Sequence, residues 1–278
     1  MVDRYIYKKI SEHFPYKPTE EQQKAIAAIA AFAADTAPRS LLIIKGYAGT
    51  GKTSVLGAVV KALHAMERPS VLLAPTGRAA KVFAEYAERD AFTIHKKIYR
   101  QKSFSNDFGS FSLGKNLQKN TLFIVDEASM ISNESAGANA FGSGHLLDDL
   151  IEYIYEDGQG CRLILSGDSA QLPPVMLRES PALSAERLRA YGMEVREVSL
   201  TQVVRQDVDS GILFNATLIR NGLRNSETAR FPVLRVQGFA DIQKVTGEDL
   251  IEEIASAYSR DGVDDTIVVC RSNKRAAR

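Results

Sequence analysis

Several features that would place the chain in a special class of protein are absent from its sequence. No apolar run among the 278 residues approaches the ~20 that span a bilayer, and the first residues lack the apolar core of a signal peptide. Cys161 and Cys270 stand far apart and outside any Cys-x-x-Cys motif, so we expect unpaired structural thiols and a cytoplasmic protein rather than a metal site or a disulfide. The net charge of +1 gives no argument for a polyanionic partner of the chain as a whole. The composition is that of an ordinary soluble globular protein with room for one large or two modest domains.

A phosphate-binding motif is the strongest feature that the sequence does contain. Residues 46–53 read GYAGTGKT, which fits the P-loop pattern G-x-x-x-x-G-K-[ST]. An apolar run at 41–44 predicts a buried parallel strand before the loop, and residues 54–66 predict a helix after it, so a chance glycine-rich turn is the weaker alternative. Such a loop points its N–H groups at phosphate oxygens, its lysine reaches the β- and γ-phosphates, and the hydroxyl beside it ligates Mg²⁺. The residues expected to contact the nucleotide are Gly46, Ala48, Gly49, Thr50, Gly51, Lys52 and Thr53, and Thr53 is also expected to hold the metal.

Two carboxylates form a second candidate part of the same site. Residues 121–125 predict an apolar strand, and Asp126 and Glu127 follow it directly. In this Walker-B arrangement Asp126 would hold Mg²⁺ directly or through water, and Glu127 would orient and deprotonate the attacking water. A strand that ends in Asp-Glu by chance is common, but the P-loop upstream favours the functional interpretation.

The first turn of a helix predicted over residues 19–34 allows two interpretations. Thr19 is an N-cap with Gln22 three residues on, which is the spacing of a capping box. Alternatively Gln22, which precedes the P-loop strand, hydrogen-bonds the edge of an adenine. Local chemistry leaves both interpretations open.

Two further stretches combine cations with groups that bind a nucleic-acid backbone. After an apolar run at 70–74, residues 75–81 would offer helix N–H groups, Thr76 and Arg78 to a phosphate. Residues 92–102 are the most basic stretch of the chain, and they interleave aromatic side chains with cations such as Lys96 and Arg100. Cations follow a phosphate backbone, and rings such as that of His95 stack on unpaired bases at ~1–3 kcal/mol each. The alternatives are a solvated helix cap for the first stretch and a solvated helix face for the second.

The order of the predicted elements indicates an α/β fold. Four apolar strands, at 41–44, 70–74, 121–125 and 161–166, alternate with helices, so we expect a parallel, doubly wound sheet. Residues 103–119 are polar and rich in turn residues, which predicts a small β-hairpin excursion, and residues 132–144 predict a flexible loop. Near the end, residues 266–270 predict a buried strand.

Taken together, these motifs resemble those of the superfamily 1 DNA helicases, in particular the RecD/Dda-like group that moves 5′ to 3′. Gln22 stands where that family has its adenine-reading glutamine. The remaining matches are GYAGTGKT at 46–53, APTGRAA at 74–80, TIH at 93–95, DEAS at 126–129, GDSAQLPPV at 167–175 and LTQVVRQ at 200–206. Any one match could be accidental, but seven in family order are very specific.

The resemblance implies an ATP-driven helicase or translocase, acting as a monomer on single-stranded DNA, with ATP and Mg²⁺ as cofactors. Gln171 would sense the γ-phosphate, Arg205 would act as an arginine finger, and Thr93 would join the strand-binding residues. Residues 1–193 would form the first RecA-like domain, in which an insertion at about 100–119 splits the duplex. Residues 194–278 would begin a second RecA-like domain that is incomplete, because two further family motifs have no counterpart.

A second class of function stays open at this point. The chain could instead be a nucleotide-dependent nucleic-acid-binding module, or a subunit of a nuclease complex, without unwinding activity of its own. The sequence alone does not distinguish DNA from RNA as the strand, because phosphate contacts and base stacking do not require a 2′-OH reader. Repair or nuclease partners leave no signal in the sequence.

Overall fold

A computed structural model describes residues 2–101, 111–134, 141–156, 159–174, 177, 179–204, 210–224, 231–270, 272 and 274. The chain divides into two compact units, residues 1–205 and residues 206–278. Within the described ranges, no helix is both long and apolar enough to cross a membrane.

The first unit alternates strands and helices. Its helices are α1 (Val2–His13), α2 (Glu20–Ala34), α3 (Lys52–Ala65), α4 (Gly77–Ala87), α5 (Ile94–Ile98), α6 (Leu146–Tyr155) and α7 (Ala185–Ala190), with 3₁₀ turns at Ala128–Met130 and Pro181–Leu183. Its strands are β1 (Ser40–Gly46), β2 (Ser70–Ala74), β3 (Ala91–Thr93), β4 (Tyr99–Gln101), β5 (Phe111–Leu113), β6 (Leu122–Val125), β7 (Arg162–Gly167) and β8 (Glu194–Leu200).

Six of these strands form one parallel sheet in the order β3-β2-β6-β7-β1-β8. Successive residues of β1 point to opposite faces of the sheet: Leu42 and Ile44 join a core with α1, α2 and α3, and Leu41 and Ile43 join a core with α6. Both faces of the sheet are therefore covered by helices, which is why its strands read as continuous apolar runs. The predicted α/β class with a parallel, doubly wound sheet is confirmed.

The strand β8 lies in this sheet, and its position there changes the predicted boundary between the two domains. The sequence placed the start of the second domain at residue 194, but β8 pairs in parallel with β1 from Ser40↔Glu194 to Gly46↔Leu200. Because the pairing covers every residue of β8, this strand is an edge of the first sheet, and the first unit extends to residue 205. The structure therefore divides the chain at 205/206 and not at 193/194.

A two-stranded antiparallel ribbon supports the predicted hairpin. β4 and β5 pair from Tyr99↔Leu113 to Gln101↔Phe111. Residues 102–110 between them lie outside the described residues. The base of the hairpin contacts the core: Tyr99 is 5% exposed, and the ring of Phe111 stacks on that of Phe141 with centroids 4.6 Å apart. The central residues of the loop predicted at 132–144, namely 135–140, also lie outside the described residues.

The second unit contains the helices α8 (Gly211–Arg224) and α9 (Leu250–Asp261). The carboxylate of Asp241 accepts hydrogen bonds from Ser210 and from the first N–H groups of α8. The prediction of a buried strand at 266–270 is wrong for this structure, in which the segment is not a strand and Val269 is 85% exposed. A strand needs a hydrogen-bonded neighbour, and the described part of this unit contains none.

Candidate nucleotide site

The loop between β1 and α3 has the backbone that its glycines predict. Gly49 has φ +79° and Gly51 has φ +85°, a left-handed region that disfavours other residues. A Cβ atom at Gly51 would also lie 2.6 Å from Nε2 of Gln22. The loop thus needs glycine both for its conformation and for its packing, which fits a cradle made of backbone groups.

The side chain of Lys52 lies inside this loop. It is 7% exposed, and its Nζ donates hydrogen bonds to the carbonyl oxygens of Gly46 (2.7 Å) and Tyr47 (3.0 Å). It forms no salt bridge within the described ranges. A buried ammonium group of this kind suits an anionic ligand, because charge buried away from water requires a compensating partner.

The carboxylate of Asp126 is the centre of a hydrogen-bonded group at the ends of β1, β6 and β7. Thr53 Oγ1 donates to its Oδ2 (2.9 Å), and Ser166 Oγ (2.9 Å) and the Glu127 N–H (3.0 Å) donate to its Oδ1. Thr53 and Asp126 were both predicted as metal ligands, and the structure shows a direct hydrogen bond between their side chains. Ser166, which fixes the orientation of the carboxylate, was not predicted.

Glu127 combines backbone strain with a partly buried carboxyl group. Its φ is +55°, and its Oε2 is buried without a hydrogen-bond partner. Burial, and next the charge of Asp126, raise the pKa of this carboxyl above its ordinary value. The group is therefore a stronger proton acceptor than an exposed glutamate.

The turn after β7 joins the same site. Asp168 is 3% exposed, and its carboxylate accepts hydrogen bonds from the N–H groups of Ala48 (2.9 Å) and Ala170 (2.8 Å). Gln171 is exposed, and its Oε1 accepts a hydrogen bond from Ser129 Oγ at 3.3 Å. Asp168 and Ser129 were not among the predicted site residues. The signal for Asp168 was its position at the end of a parallel strand, where such sheets bind ligands.

The structure shows the capping interpretation of Gln22, and the contact with adenine stays a prediction. The capping box is present, since Gln22 N–H donates to Thr19 Oγ1 and Thr19 N–H donates to Gln22 Oε1. The Nε2 of Gln22 also donates to the carbonyl of Thr50, 3.0 Å away in the P-loop. Each end of the amide keeps one unused hydrogen-bonding position, so a capping role does not prevent a contact with a base.

The segment that follows β8 lies along the P-loop. Tyr47 N–H donates to the carbonyl of Leu200 (3.2 Å), and Val204 N–H donates to that of Gly49 (3.0 Å). The predicted arginine finger, Arg205, lies outside the described residues.

The residues predicted to bind a nucleic-acid strand lie at the ends of β2 and β3 and just after them. These two β-strands are neighbours in the sheet. Thr76 caps α4 by accepting the Ala79 N–H, and Thr93 caps α5 by accepting the Lys96 N–H, each at 3.2 Å. The side chain of Arg78 is exposed. Thr76 thus satisfies the helix-cap alternative, Thr93 is a cap that was not predicted, and the structure brings both threonines to the same edge of the sheet.

The basic stretch is less uniformly cationic than its sequence indicates. His95 packs against the rings of Tyr99 and Phe141, and burial lowers the pKa of its imidazole. Arg100 Nη1 donates to the carbonyls of Lys96, Lys97 and Tyr99, at the end of α5. Lys96 is exposed, with its Nζ 5.5 Å from the centroid of the Phe92 ring. Lys96 and Arg100 are both exposed, but in the described part of the chain only Arg100 uses its charged group in hydrogen bonds to the protein.

A parallel sheet with a P-loop after β1 and paired carboxylates after β6 defines a P-loop NTPase of RecA-like fold. Consistent with this, the profile of the family described as "AAA domain" matches residues 17–239. The chain belongs to this family, and membership implies nucleotide binding.

Individual relatives confirm the resemblance to helicases. The ATP-dependent RecD2 DNA helicase of Deinococcus radiodurans is 29% identical over 174 residues, 62% of this chain and 21% of the relative. The ATP-dependent DNA helicase PIF7 of Trypanosoma brucei brucei is 32% identical over 153 residues, 49% of this chain and 14% of the relative. Among solved structures, the Pif1 helicase of Candida albicans matches 94% of this chain and 60% of its own at 17% identity, with a TM-score of 0.47. The chain thus spans about a fifth or less of these two curated relatives.

Proposed function

We propose that this chain forms the nucleotide-hydrolysing part of an ATP-dependent helicase that moves along single-stranded DNA. The observation that carries the proposal is the partly buried, strained Glu127 beside the Asp126–Thr53 pair, at the edge of the sheet where Lys52 occupies the P-loop. The two curated relatives are ATP-dependent DNA helicases, which supports the choice of ATP and DNA.

The phosphate-binding residues have distinct proposed roles. Lys52 offsets the charge of the β- and γ-phosphates, and the loop N–H groups bind their oxygens. Thr53 and Asp126 supply the oxygens that hold Mg²⁺, which when bound neutralises charge developing on the phosphates. Gln22 contacts the adenine with its unused amide positions. The other loop contacts are those of Gly46, Ala48, Gly49, Thr50 and Gly51.

Glu127 is the proposed general base for hydrolysis. It accepts a proton from the attacking water, and its raised pKa brings it nearer to neutrality, where a base works best. The side chain of Gln171 hydrogen-bonds that of Glu127, and Gln171 is therefore suited to respond to the γ-phosphate. Arg205 is the proposed finger, on the evidence of the sequence resemblance alone.

The proposed path of the DNA strand runs over the ends of β2 and β3. Thr76, Thr93 and exposed Arg78 and Lys96 contact phosphates, and His95 offers a ring for stacking. Arg100 contributes by holding the end of α5. The family resemblance supports three further parts of the proposal, namely movement from 5′ to 3′, a monomeric state and splitting of the duplex by the hairpin.

The test measures ATP hydrolysis by the full-length protein with and without single-stranded DNA. We expect the strand to stimulate hydrolysis and Lys52→Ala to abolish it. The control is Lys45→Ala, which removes a lysine at the end of β1 that pairs with Glu197. Hydrolysis that survives Lys52→Ala would contradict the proposal.

Strand displacement from a duplex with a 5′ single-stranded tail then separates a motor from a binding module. ATP-dependent displacement supports the helicase. If DNA stimulates hydrolysis but the duplex stays intact, the chain belongs to a nucleotide-dependent binding module.

A further inference from the structure

The carboxylate of Glu21 binds the first two residues of the segment that follows β8. Its Oε2 accepts hydrogen bonds from the N–H groups of Thr201 (2.5 Å) and Gln202 (2.7 Å), and its Oε1 accepts one from Thr201 Oγ1 (2.6 Å). Three donors from two consecutive residues therefore converge on one side chain, although 180 positions separate Glu21 from Thr201 in the sequence.

The segment that Glu21 binds, residues 200–204, packs against the P-loop. At one end of it the carbonyl of Leu200 accepts the Tyr47 N–H, and at the other the Val204 N–H donates to the carbonyl of Gly49. A Cβ atom at Gly49 would lie 3.2 Å from Cγ1 of Val203. Residues 200–204 thus pack on the loop itself, and Glu21 fixes the part of this segment that does not contact the loop.

Glu21 and Gln22 connect the first turn of α2 to two parts of the site. Gln22 donates to Thr50 in the P-loop, and Glu21 binds the segment after β8. Burial acts to raise the pKa of Glu21, but the hydrogen bonds from Thr201 and Gln202 more than offset it and hold the pKa below its ordinary value. The group is ionised at neutral pH, and hydrogen bonds to a charged acceptor are the stronger kind.

We propose that Glu21 is a positioning residue for ATP hydrolysis, which fixes residues 200–204 against the P-loop. The inference rests on the proposed ATPase function. Glu21 does not contact Lys52, Thr53 or the carboxylates after β6 in the described structure, so its loss leaves the phosphate-binding groups in place. The loss of Glu21 instead affects the position of residues 200–204, which must stay against the P-loop during hydrolysis.

The test compares Glu21→Ala with Glu20→Ala in the full-length protein. Glu20 is the neighbouring exposed glutamate on the same turn of α2, without a hydrogen bond or ion pair among the described residues. We expect Glu21→Ala to lower kcat of DNA-stimulated ATP hydrolysis about tenfold, while the Kd of a fluorescent non-hydrolysable ATP analogue changes less than about twofold. Glu20→Ala should match the wild type in both measurements.

Two conservative variants keep the test informative if Glu21→Ala folds poorly. Glu21→Gln retains an oxygen acceptor and should recover most of kcat, and Thr201→Val removes only the hydroxyl contact and should lower kcat less than Glu21→Ala does. Loss of folding alone would lower the binding stoichiometry of the analogue in the same proportion as the apparent kcat, so kcat is calculated per binding-competent site. A fall in kcat that disappears on this scale would contradict the positioning role.

The outcomes distinguish this inference from the proposed function. If the wild type hydrolyses ATP and Glu21→Ala has the same kcat, or if the analogue Kd rises as much as kcat falls, the positioning role is wrong and the proposed function stands. If the wild type does not hydrolyse ATP, both are wrong.

Discussion

At the scale of single residues, Glu127 has two features that cost stability. Glu127 occupies the left-handed region, which costs a non-glycine residue roughly 1–2 kcal/mol, and it also buries an oxygen without a partner. Strain of this kind persists where the surroundings enforce it, and it concentrates at functional sites. Here the Asp126 carboxylate enforces it by accepting the Glu127 N–H.

We predict that Glu127→Gln keeps nucleotide binding and loses turnover. The amide has the size of the carboxyl but cannot accept the proton of water, and it removes a repulsion with Asp126. Equilibrium binding of an ATP analogue should be unchanged or tighter, while the hydrolysis rate falls at least about 100-fold, the usual contribution of a general base. A wild-type rate in this variant would remove Glu127 from the mechanism.

The pH dependence of kcat tests the same carboxyl group. Because its folded-state pKa is raised, Glu127 takes up a proton at a higher pH than an exposed glutamate, whose pKa is ~4.3. We therefore expect kcat to be full near neutral pH and to fall as the pH drops through this raised pKa. Asp168 adds to the rise in pKa, so Asp168→Asn should move the acid limb to lower pH. An acid limb at the position typical of exposed glutamate would contradict the burial argument.

At the scale of elements, the hairpin is anchored by a hydrogen bond between two buried side chains. Tyr99 begins β4, and its hydroxyl donates to Asp149 Oδ2 on α6 at 2.6 Å, a carboxylate oxygen that also accepts the Ser143 N–H. The aromatic contacts of Phe141 with His95 and Phe111 lie around this bond. The hairpin and the basic helix α5 thus share one attachment to α6.

We predict that Tyr99→Phe destabilises the first unit by about 1–3 kcal/mol, because Asp149 is 2% exposed and would lose one of its donors. The measurement is the midpoint of urea unfolding followed by circular dichroism. The control is Tyr86→Phe on α4, where the side chain is 39% exposed and the change should be close to zero. Equal midpoints for the two variants would show that the buried bond contributes nothing.

The individual elements also show which parts of the fold could be predicted from the sequence. Helix α2, strand β2 and the P-loop depend on local signals, namely a capping box, an apolar run and glycine spacing, and they were predicted closely. The place of β8 in the first sheet depends on pairing with β1, which no local pattern encodes. The burial of His95 likewise depends on Phe141, which is distant in sequence. Ser166 reaches Asp126 only because β7 lies beside β6.

At the scale of the whole molecule, the net charge is close to zero, but the basic residues proposed to bind DNA differ in the contacts that they make within the protein. The chain carries 35 lysines and arginines against 34 acidic residues, so a strand-binding surface must arise from the placement of a few exposed side chains. At the ends of β2 and β3, Arg78 and Lys96 are exposed, whereas Arg100 is bound to carbonyl groups and His95 is partly buried. The basic stretch should therefore act through two kinds of contact, charged and stacking.

We predict that these two kinds of contact separate in the salt dependence of single-stranded DNA binding. Removing the cation that neutralises one phosphate should reduce the slope of log K against log salt by ~0.7, so Arg78→Ala and Lys96→Ala should each weaken binding and flatten the slope. His95→Ala should weaken binding at pH 7.5 without changing the slope, because a lowered pKa keeps its ring neutral there. Fluorescence anisotropy of a labelled oligonucleotide at several salt concentrations measures both quantities.

The matched control for this prediction is Lys8→Ala, since Lys8 lies on α1, outside the two predicted nucleic-acid-binding stretches, and its side chain is 75% exposed. It should leave both affinity and slope unchanged. If Lys8→Ala and Lys96→Ala have equal effects, binding reflects total charge and not a defined path. If neither Arg78→Ala nor Lys96→Ala changes the slope, α4 and α5 present only solvated faces, and the strand must bind elsewhere on the protein.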